Sequence, residues 1–452
     1  MALGRAAQHR VVRCVCSVAL LFSATASTKP KLQAIGEASL GYTDNVRTTP
    51  DAPGLATTPR STAAFLTLSP NLVLSLEAPR ATQRLRYRYE YDLFFAQSNT
   101  SISTNQLDYQ AFFELSQRVT LTVGSSASET NRYAAVALSA PGSGVVSALP
   151  AGAGAYLQAA ANEALSIDAG VGWRAWQGGG VVVAAPILGT QAPQTTDVSA
   201  RTGLEKSFFR DAAGLEARSE YTVVQDGVRG DGTPLGVQEL LVVGAVALWR
   251  HDWGRYLTSN AEGGALRIQR VNVGRGFWAP TASATLAYAT EHGDAQLSYA
   301  HDVRSNALLG QALLVDEVRL RGALPLTSHD ELLLAASAGY QRGSLIDENA
   351  VLAARVDVAM VDVALGWQAT RALQLALRYQ HIEQMSDART PPLPLSFAQN
   401  NVLFGATLRL PSDRELPRPY RAPRRVDRSD ELRDGVAPGE LQRQSAVPSN
   451  AR

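Results

Sequence analysis

Residues Arg84 to Phe95 read RLRYRYEYDLFF. Arg84, Arg86, Arg88, Glu90 and Asp92 hold the even positions, and Leu85, Tyr87, Tyr89, Tyr91 and Leu93 the odd ones. Successive side chains of an extended strand point to opposite faces. One face of this segment is therefore fully charged and the other aromatic and aliphatic. The two faces need different solvents, and that constrains the fold more than any other feature of the chain.

The same alternation recurs along the sequence, while helical periodicity is hard to find. Ala64, Leu66, Leu68, Leu72, Leu74 and Leu76 oppose Thr67, Ser69, Asn71, Ser75 and Glu77. Leu107, Tyr109, Ala111, Phe113 and Leu115 oppose Gln106, Asp108, Gln110 and Glu114. Leu165, Ile167, Ala169, Val171 and Trp173 read as one strand face, opposite Ser166, Asp168 and Arg174. Leu215, Ala217, Tyr221 and Val223 oppose Glu216, Arg218, Glu220 and Thr222. Leu373 to Gln380 and Asn401 to Leu410 repeat the pattern. Leu240 to Trp249 and Val356 to Leu365 are apolar on both faces, and Asn260 to Arg267 is polar and Gly-rich.

Short turns are expected at about 75–83, 115–119, 162–165, 206–213, 250–256, 291–295, 325–331 and 368–372. Longer connections are expected near 44–61, 97–104, 131–153, 177–194, 226–236, 268–277, 304–312, 343–354 and 385–397. That is about eighteen strands, with sixteen or twenty as the neighbouring counts. An even number puts both ends of the sheet on the short-turn side. An even strand number with short turns at one rim and longer loops at the other is the pattern of outer-membrane barrels. The expected fold is all-β: a transmembrane antiparallel β-barrel over residues 31–410. Phe94, Phe95, Trp173, Trp176, Trp249, Trp253, Trp278, Tyr340 and Trp367 fall near strand ends, as interfacial girdles do. Soluble sandwiches, propellers and β-helices alternate too, but no repeat at a fixed 40–50-residue period is visible.

Arg5, Arg10 and Arg13, the apolar run Val15 to Phe22, and Ala24-Thr25-Ala26 read as a signal peptide over 1–26. Both cysteines, Cys14 and Cys16, lie inside it, which leaves the exported part without a disulfide framework or a Cys nucleophile. Beyond it no stretch of about 18 apolar residues exists, so a helical span is not expected. Residues 411–452 are rich in Pro, Arg, Asp and Glu without periodicity and read as a disordered periplasmic tail. The implied location is the outer membrane of a Gram-negative bacterium.

Chemistry of other kinds finds little support. Formal net charge is +1, which gives no case for nucleic acid. No HExxH, G-x-S-x-G or Cys/His metal spacing occurs, so no enzyme activity, metal or cofactor is expected. His251 and His329 fall in expected short turns. Gly178-Gly179-Gly180 reads as the opening of a loop rather than a phosphate cradle. The loops at 131–153 and 177–194 are the candidates for closing the lumen.

What remains is the polar face. By alternation the lumen-facing candidates are Arg84, Arg86, Arg88, Glu90, Asp92, Asp108, Arg174, Arg218, Arg319, Arg321, Arg378 and Arg409. Glu37, Glu114, Asp168, Arg201, Glu205, Glu216, Glu220, Asp302, Arg304 and Glu317 belong to the same set. Both signs are present in similar number, which argues against selection of one small ion and for a hydrated channel. Charges that merely pair across strands and keep the wall wet explain the set equally well.

The first expected strand, GEASLGYTDNVRTTP (Gly36 to Pro50), resembles the opening of outer-membrane barrels that belong to bacterial exopolysaccharide secretion systems. Gly41, Thr43, Asp44 and Asn45 carry the likeness. The resemblance implies an eighteen-stranded conduit for a secreted polysaccharide cargo. It also implies a periplasmic polysaccharide-export protein as partner, besides the outer-membrane lipid around the barrel. A general or solute-specific porin is the alternative reading, and an adhesin or soluble secreted β protein a third.

Overall fold

A computed structural model describes residues 30–44, 62–95, 101–133, 155–186, 194–228, 234–272, 274–290, 292–306, 311–327, 331–346, 355–386 and 396–410. The segments read as signal peptide and tail lie outside these residues. Within them the chain forms eighteen strands. In order they are β1 (Lys31–Thr43), β2 (Ala63–Ala78), β3 (Ala81–Phe94), β4 (Ser101–Ser116), β5 (Val119–Tyr133) and β6 (Ala155–Ala169). Then follow β7 (Trp173–Pro186), β8 (Gln194–Ser207), β9 (Asp211–Val228), β10 (Pro234–Asp252), β11 (Leu257–Arg270) and β12 (Arg275–Thr290). The last six are β13 (Gly293–Asn306), β14 (Gln311–Pro325), β15 (Leu332–Ile346), β16 (Arg355–Gln368), β17 (Leu373–Ser386) and β18 (Phe397–Leu410).

Each strand pairs antiparallel with its neighbours in sequence, and β1 pairs with β18 from Ala34↔Leu410 to Thr43↔Asn401. The sheet is therefore closed, and no edge is left to pair with another chain. Connections alternate between the two rims. One rim carries 79–80, 117–118, 170–172 and 208–210; the other carries 44–62, 95–100, 134–154 and 187–193, and the alternation continues to β18. Strands of 13 to 19 residues exceed the ~9–11 that a tilted strand needs to span a bilayer.

The two faces differ as the alternation requires. In β1, Leu32, Leu40 and Tyr42 are exposed while Gln33, Ile35 and Thr43 are buried. The exposed set continues round the barrel through Leu72, Tyr87, Ile167, Val198, Leu215, Leu286, Leu297, Val318, Leu377 and Phe404. Burying a side chain of this kind is worth about 1.5–3 kcal/mol, and a soluble monomer does not leave a continuous belt of them in water. The belt is the outer, lipid-facing surface. Glu163, in the row Ser125↔Glu163↔Gly179 on β5–β7, is an exposed charge on that face.

Three sequence expectations are corrected. The β6–β7 turn lies at Gly170–Gly172 and not at 162–165, so Leu165 to Ala169 and Trp173 belong to different strands. Gly172 has φ +82°, a left-handed conformation that glycine adopts without steric penalty. Its N–H bonds to Ala169 O at 3.1 Å and its carbonyl accepts Ser207 N–H at 2.7 Å. Gly178–Gly180 are therefore inside β7, not at a loop opening, and residues 177–186 of the expected loop 177–194 are strand. Gly180 faces Asn162, whose amide occupies the space a Cβ would need. The third correction concerns His251, which is in β10 rather than in a turn. Most of 131–153 lies outside the described residues.

Candidate functional site: the inner wall

The registers place one residue set of every strand on the face opposite the belt. On β3, Arg84, Arg86 and Arg88 stand across from Ser75, Val73 and Asn71 of β2 and from Gln110, Asp108 and Gln106 of β4. Several contacts skip a strand: Arg88 of β3 approaches Glu37 of β1 at 3.8 Å, and Arg250 of β10 approaches Glu205 of β8 at 3.7 Å. Side chains two strands apart converge only on the concave side of a curved sheet. This face is the inside of the barrel.

The arginines on it are held. Arg86 Nε donates to Asn71 Oδ1 at 3.1 Å. Arg88 donates from Nε to Ser69 Oγ at 3.0 Å and from Nη2 to Glu90 Oε2 at 2.8 Å. Arg319 Nη2 donates to Glu317 at 2.6 Å, Arg321 Nε to Gln296 Oε1 at 2.8 Å, and Arg409 Nη2 to Gln374 Oε1 at 3.1 Å. Arg378 Nε donates to Asp362 Oδ2 at 2.7 Å. Arg174 lies 4.0 Å from Asp168 and opposite Glu205 in register. Asp92 accepts a bond from Thr67 Oγ1 at 2.6 Å, and Asp108 one from Gln106 Nε2 at 3.0 Å. Arg84 completes the β3 row.

The most developed cluster is on β7 to β12. Arg218 Nε donates to Glu216 Oε1 at 2.5 Å and its Nη2 to Glu262 Oε2 at 2.8 Å. Glu216 also accepts the indole N–H of Trp176 at 2.9 Å, and Glu262 the hydroxyl of Ser283 at 3.3 Å. Both carboxylates are about nine-tenths buried. Burying two acids beside one guanidinium costs desolvation that the paired geometry and the extra donors must offset. What results is a fixed constellation on the wall, set by four strands.

Toward the long-loop rim, part of the inner wall is apolar. Leu240, Val242, Leu266, Ile268 and Ala279 form a buried cluster with Phe277 packed against it. Val356, Val358 and Phe397 are likewise buried on this face. That explains why Leu240 to Trp249 and Val356 to Leu365 look apolar throughout.

Sequence reasoning missed Glu262, Asp362 and Arg250 as members of the polar wall. It also put Trp176 and Phe94 in the girdle, whereas both are on the inner face, Phe94 against Phe65 at 5.3 Å. The girdles themselves are on the outer face. Trp173, Trp249, Trp253 and Trp367 stand near the short-turn rim. Midway along their strands on the same face, Tyr299, Tyr340 and Tyr379 form a second aromatic band and donate to Asp316, Asp357 and Asn400 at 3.0, 2.7 and 2.8 Å. In each case a His or Arg two residues on (His301, Arg342 and His381) bonds the same acceptor oxygen.

Asn400 joins that band to the seam of the barrel. Its backbone N–H and side-chain Nδ2 donate to Asp44 at 2.7 and 2.6 Å. Gly41 lies under the Phe65 ring, in space a Cβ would need.

A closed barrel of eighteen antiparallel strands, apolar outside and charged inside, with short turns at one rim, has the architecture of an outer-membrane β-barrel. No protein-family model matches the chain, and no curated protein matches it in sequence. Among solved structures it is similar to OccK9 (OpdG) of Pseudomonas aeruginosa, at 13% identity over 84% of this chain and 98% of that one, with a TM-score of 0.46. OccK2 (OpdF) of the same organism gives 13% identity over the same shares and 0.45. A BenF-like porin from Pseudomonas fluorescens gives 11% identity, 84% and 99% coverage, and 0.43.

Proposed function

We propose that this protein is a porin: a passive channel that lets small polar solutes cross the outer membrane through a hydrated lumen lined by the paired charges. The observation that carries the reading is the pairing itself. Arg88, Arg218, Arg319 and Arg378 are each tied to a carboxylate on their own or a nearby strand. Such a wall holds water and offers many weak contacts without a dominant sign. A conducting path needs that, because binding must stay weak and multi-site for the solute to leave. The role of the twelve arginines and acids as solute contacts is part of this proposal.

A polysaccharide conduit was the expectation drawn from the first strand. Two of its motif residues have structural work in the barrel. Gly41 makes room for Phe65, and Asp44 ties β1 to β18 through Asn400. Those roles account for them without a polymer, which favours the porin reading.

Single-channel recording of the purified barrel in planar bilayers, with oligosaccharides of increasing length added to one side, tests the proposal. Steady conductance that small sugars permeate and longer oligosaccharides fail to enter supports a porin. Free passage of long oligosaccharides returns the reading to a polymer conduit.

A further inference from the structure

The outer face carries a groove of about 560 Å³ near the short-turn rim. Its floor is the small outward residues of β11 and β12, Ala261 and Ala284 among them. Trp249 and Trp253 wall it on one side, Leu286 and Leu297 on the other. All four walls are 43–57% exposed, although the lining is almost wholly apolar. Here the small residues leave a trough between the bulky ones. The indole N–H groups of the two tryptophans are both engaged: Trp253 Nε1 donates to Ser259 Oγ, itself part of the lining, at 2.9 Å, and Trp249 Nε1 to Asp211 at 3.2 Å.

Two arginines sit in the short turns next to the rim end of the groove. Arg255, in the β10–β11 turn, lies over the Tyr256 ring at 5.4 Å, and Arg210, in the adjacent β8–β9 turn, over Phe209 at 5.6 Å. The two turns are joined by the bond from Asp252 N–H to Arg210 O at 2.8 Å. Short turns face the periplasm in outer-membrane barrels, so the groove lies at the level of the inner leaflet, with guanidinium groups at headgroup depth.

We infer that this groove holds one anionic glycerophospholipid of the inner leaflet. One acyl chain lies between the Trp pair and Leu286/Leu297, and the phosphate lies beside Arg255 and Arg210. The occupant follows from the setting. The groove opens to the hydrocarbon layer, which excludes polar ligands, and cations at its end complement a phosphate.

Native mass spectrometry of the full-length protein, released from mild detergent after incubation with phosphatidylglycerol or phosphatidylethanolamine, tests this. The wild type is expected to keep one phosphatidylglycerol after the remaining lipid is stripped. A261F/A284F, which fills the trough, should keep none while still showing heat-modifiable migration. R210Q/R255Q should keep lipid but lose roughly tenfold of the preference for phosphatidylglycerol over phosphatidylethanolamine. Equal retention by the wild type and A261F/A284F would overturn the inference. So would a wild-type dimer that the filled variant abolishes, since a second copy would then be the occupant.

Discussion

The indole of Trp176 lies across the bare Cα of Gly203, in space that a Cβ on residue 203 would occupy. That position aims its N–H at Glu216 on the next strand but one. A glycine on β8 thereby helps set the protonic environment of the Arg218 cluster on β9 and β11. The first prediction follows from it. Gly203→Ala should displace Trp176 and cost about 1–3 kcal/mol by overpacking. The urea midpoint of the reconstituted barrel should fall and the tryptophan emission should shift to the red. An unchanged spectrum would mean that the ring does not depend on Gly203.

Arg218 neutralises one of two buried carboxylates and bonds both. Arg218→Ala should leave Glu216 and Glu262 facing each other and destabilise the barrel by about 3–5 kcal/mol, the usual cost of stranding a buried charge. It should also make the channel more cation-selective. Glu262→Gln should move selectivity toward anions. Reversal potentials across a salt gradient read both changes, and they must be opposite in sign.

The seam between β1 and β18 depends on Asp44. Asp44→Ala removes two acceptors from Asn400 and should cost about 1–3 kcal/mol. The temperature at which the folded band converts to the unfolded one on gels should fall. Asp44→Asn keeps one acceptor and should fall less.

The outer tyrosines are expected to act singly and modestly. Tyr299→Phe or Tyr340→Phe should each cost about 0.5–1.5 kcal/mol, the net worth of one hydrogen bond. Asp316→Ala should cost more than Tyr299→Phe, because it strands both Tyr299 and His301. Urea titration of the variants in lipid ranks them.

The fold was largely legible because a closed sheet between lipid and water leaves its period-two signature in almost every strand. RLRYRYEYDLFF displays both faces, and β9, β17 and β18 do so nearly as well. Legibility failed where side-chain size, not polarity, decides the structure. The run Ala159 to Ala164 has too little amphipathic contrast to mark a strand, so the β6–β7 turn was expected early. Gly178–Gly180 look like a loop, yet they are strand glycines, Gly180 facing Asn162 and Gly178 and Gly179 lying close to the backbone of Glu163 and Ser199. Glu262 sits in a Gly-rich stretch and Asp362 in one apolar on both sides, so alternation did not single them out. Trp176 and Phe94 show the limit of reading girdles from position, because an aromatic near a strand end can face either way.

The central claim is that the Arg88 face lines a water-filled conducting path and the Tyr89 face meets lipid. Single-channel conductance of Arg88→Cys and Tyr89→Cys, before and after a charged, water-soluble thiol reagent is added, tests it most directly. Stepwise loss of conductance in Arg88→Cys with no change in Tyr89→Cys is the predicted result. Modification of Tyr89→Cys, or an Arg88→Cys channel whose conductance ignores the reagent, would contradict it.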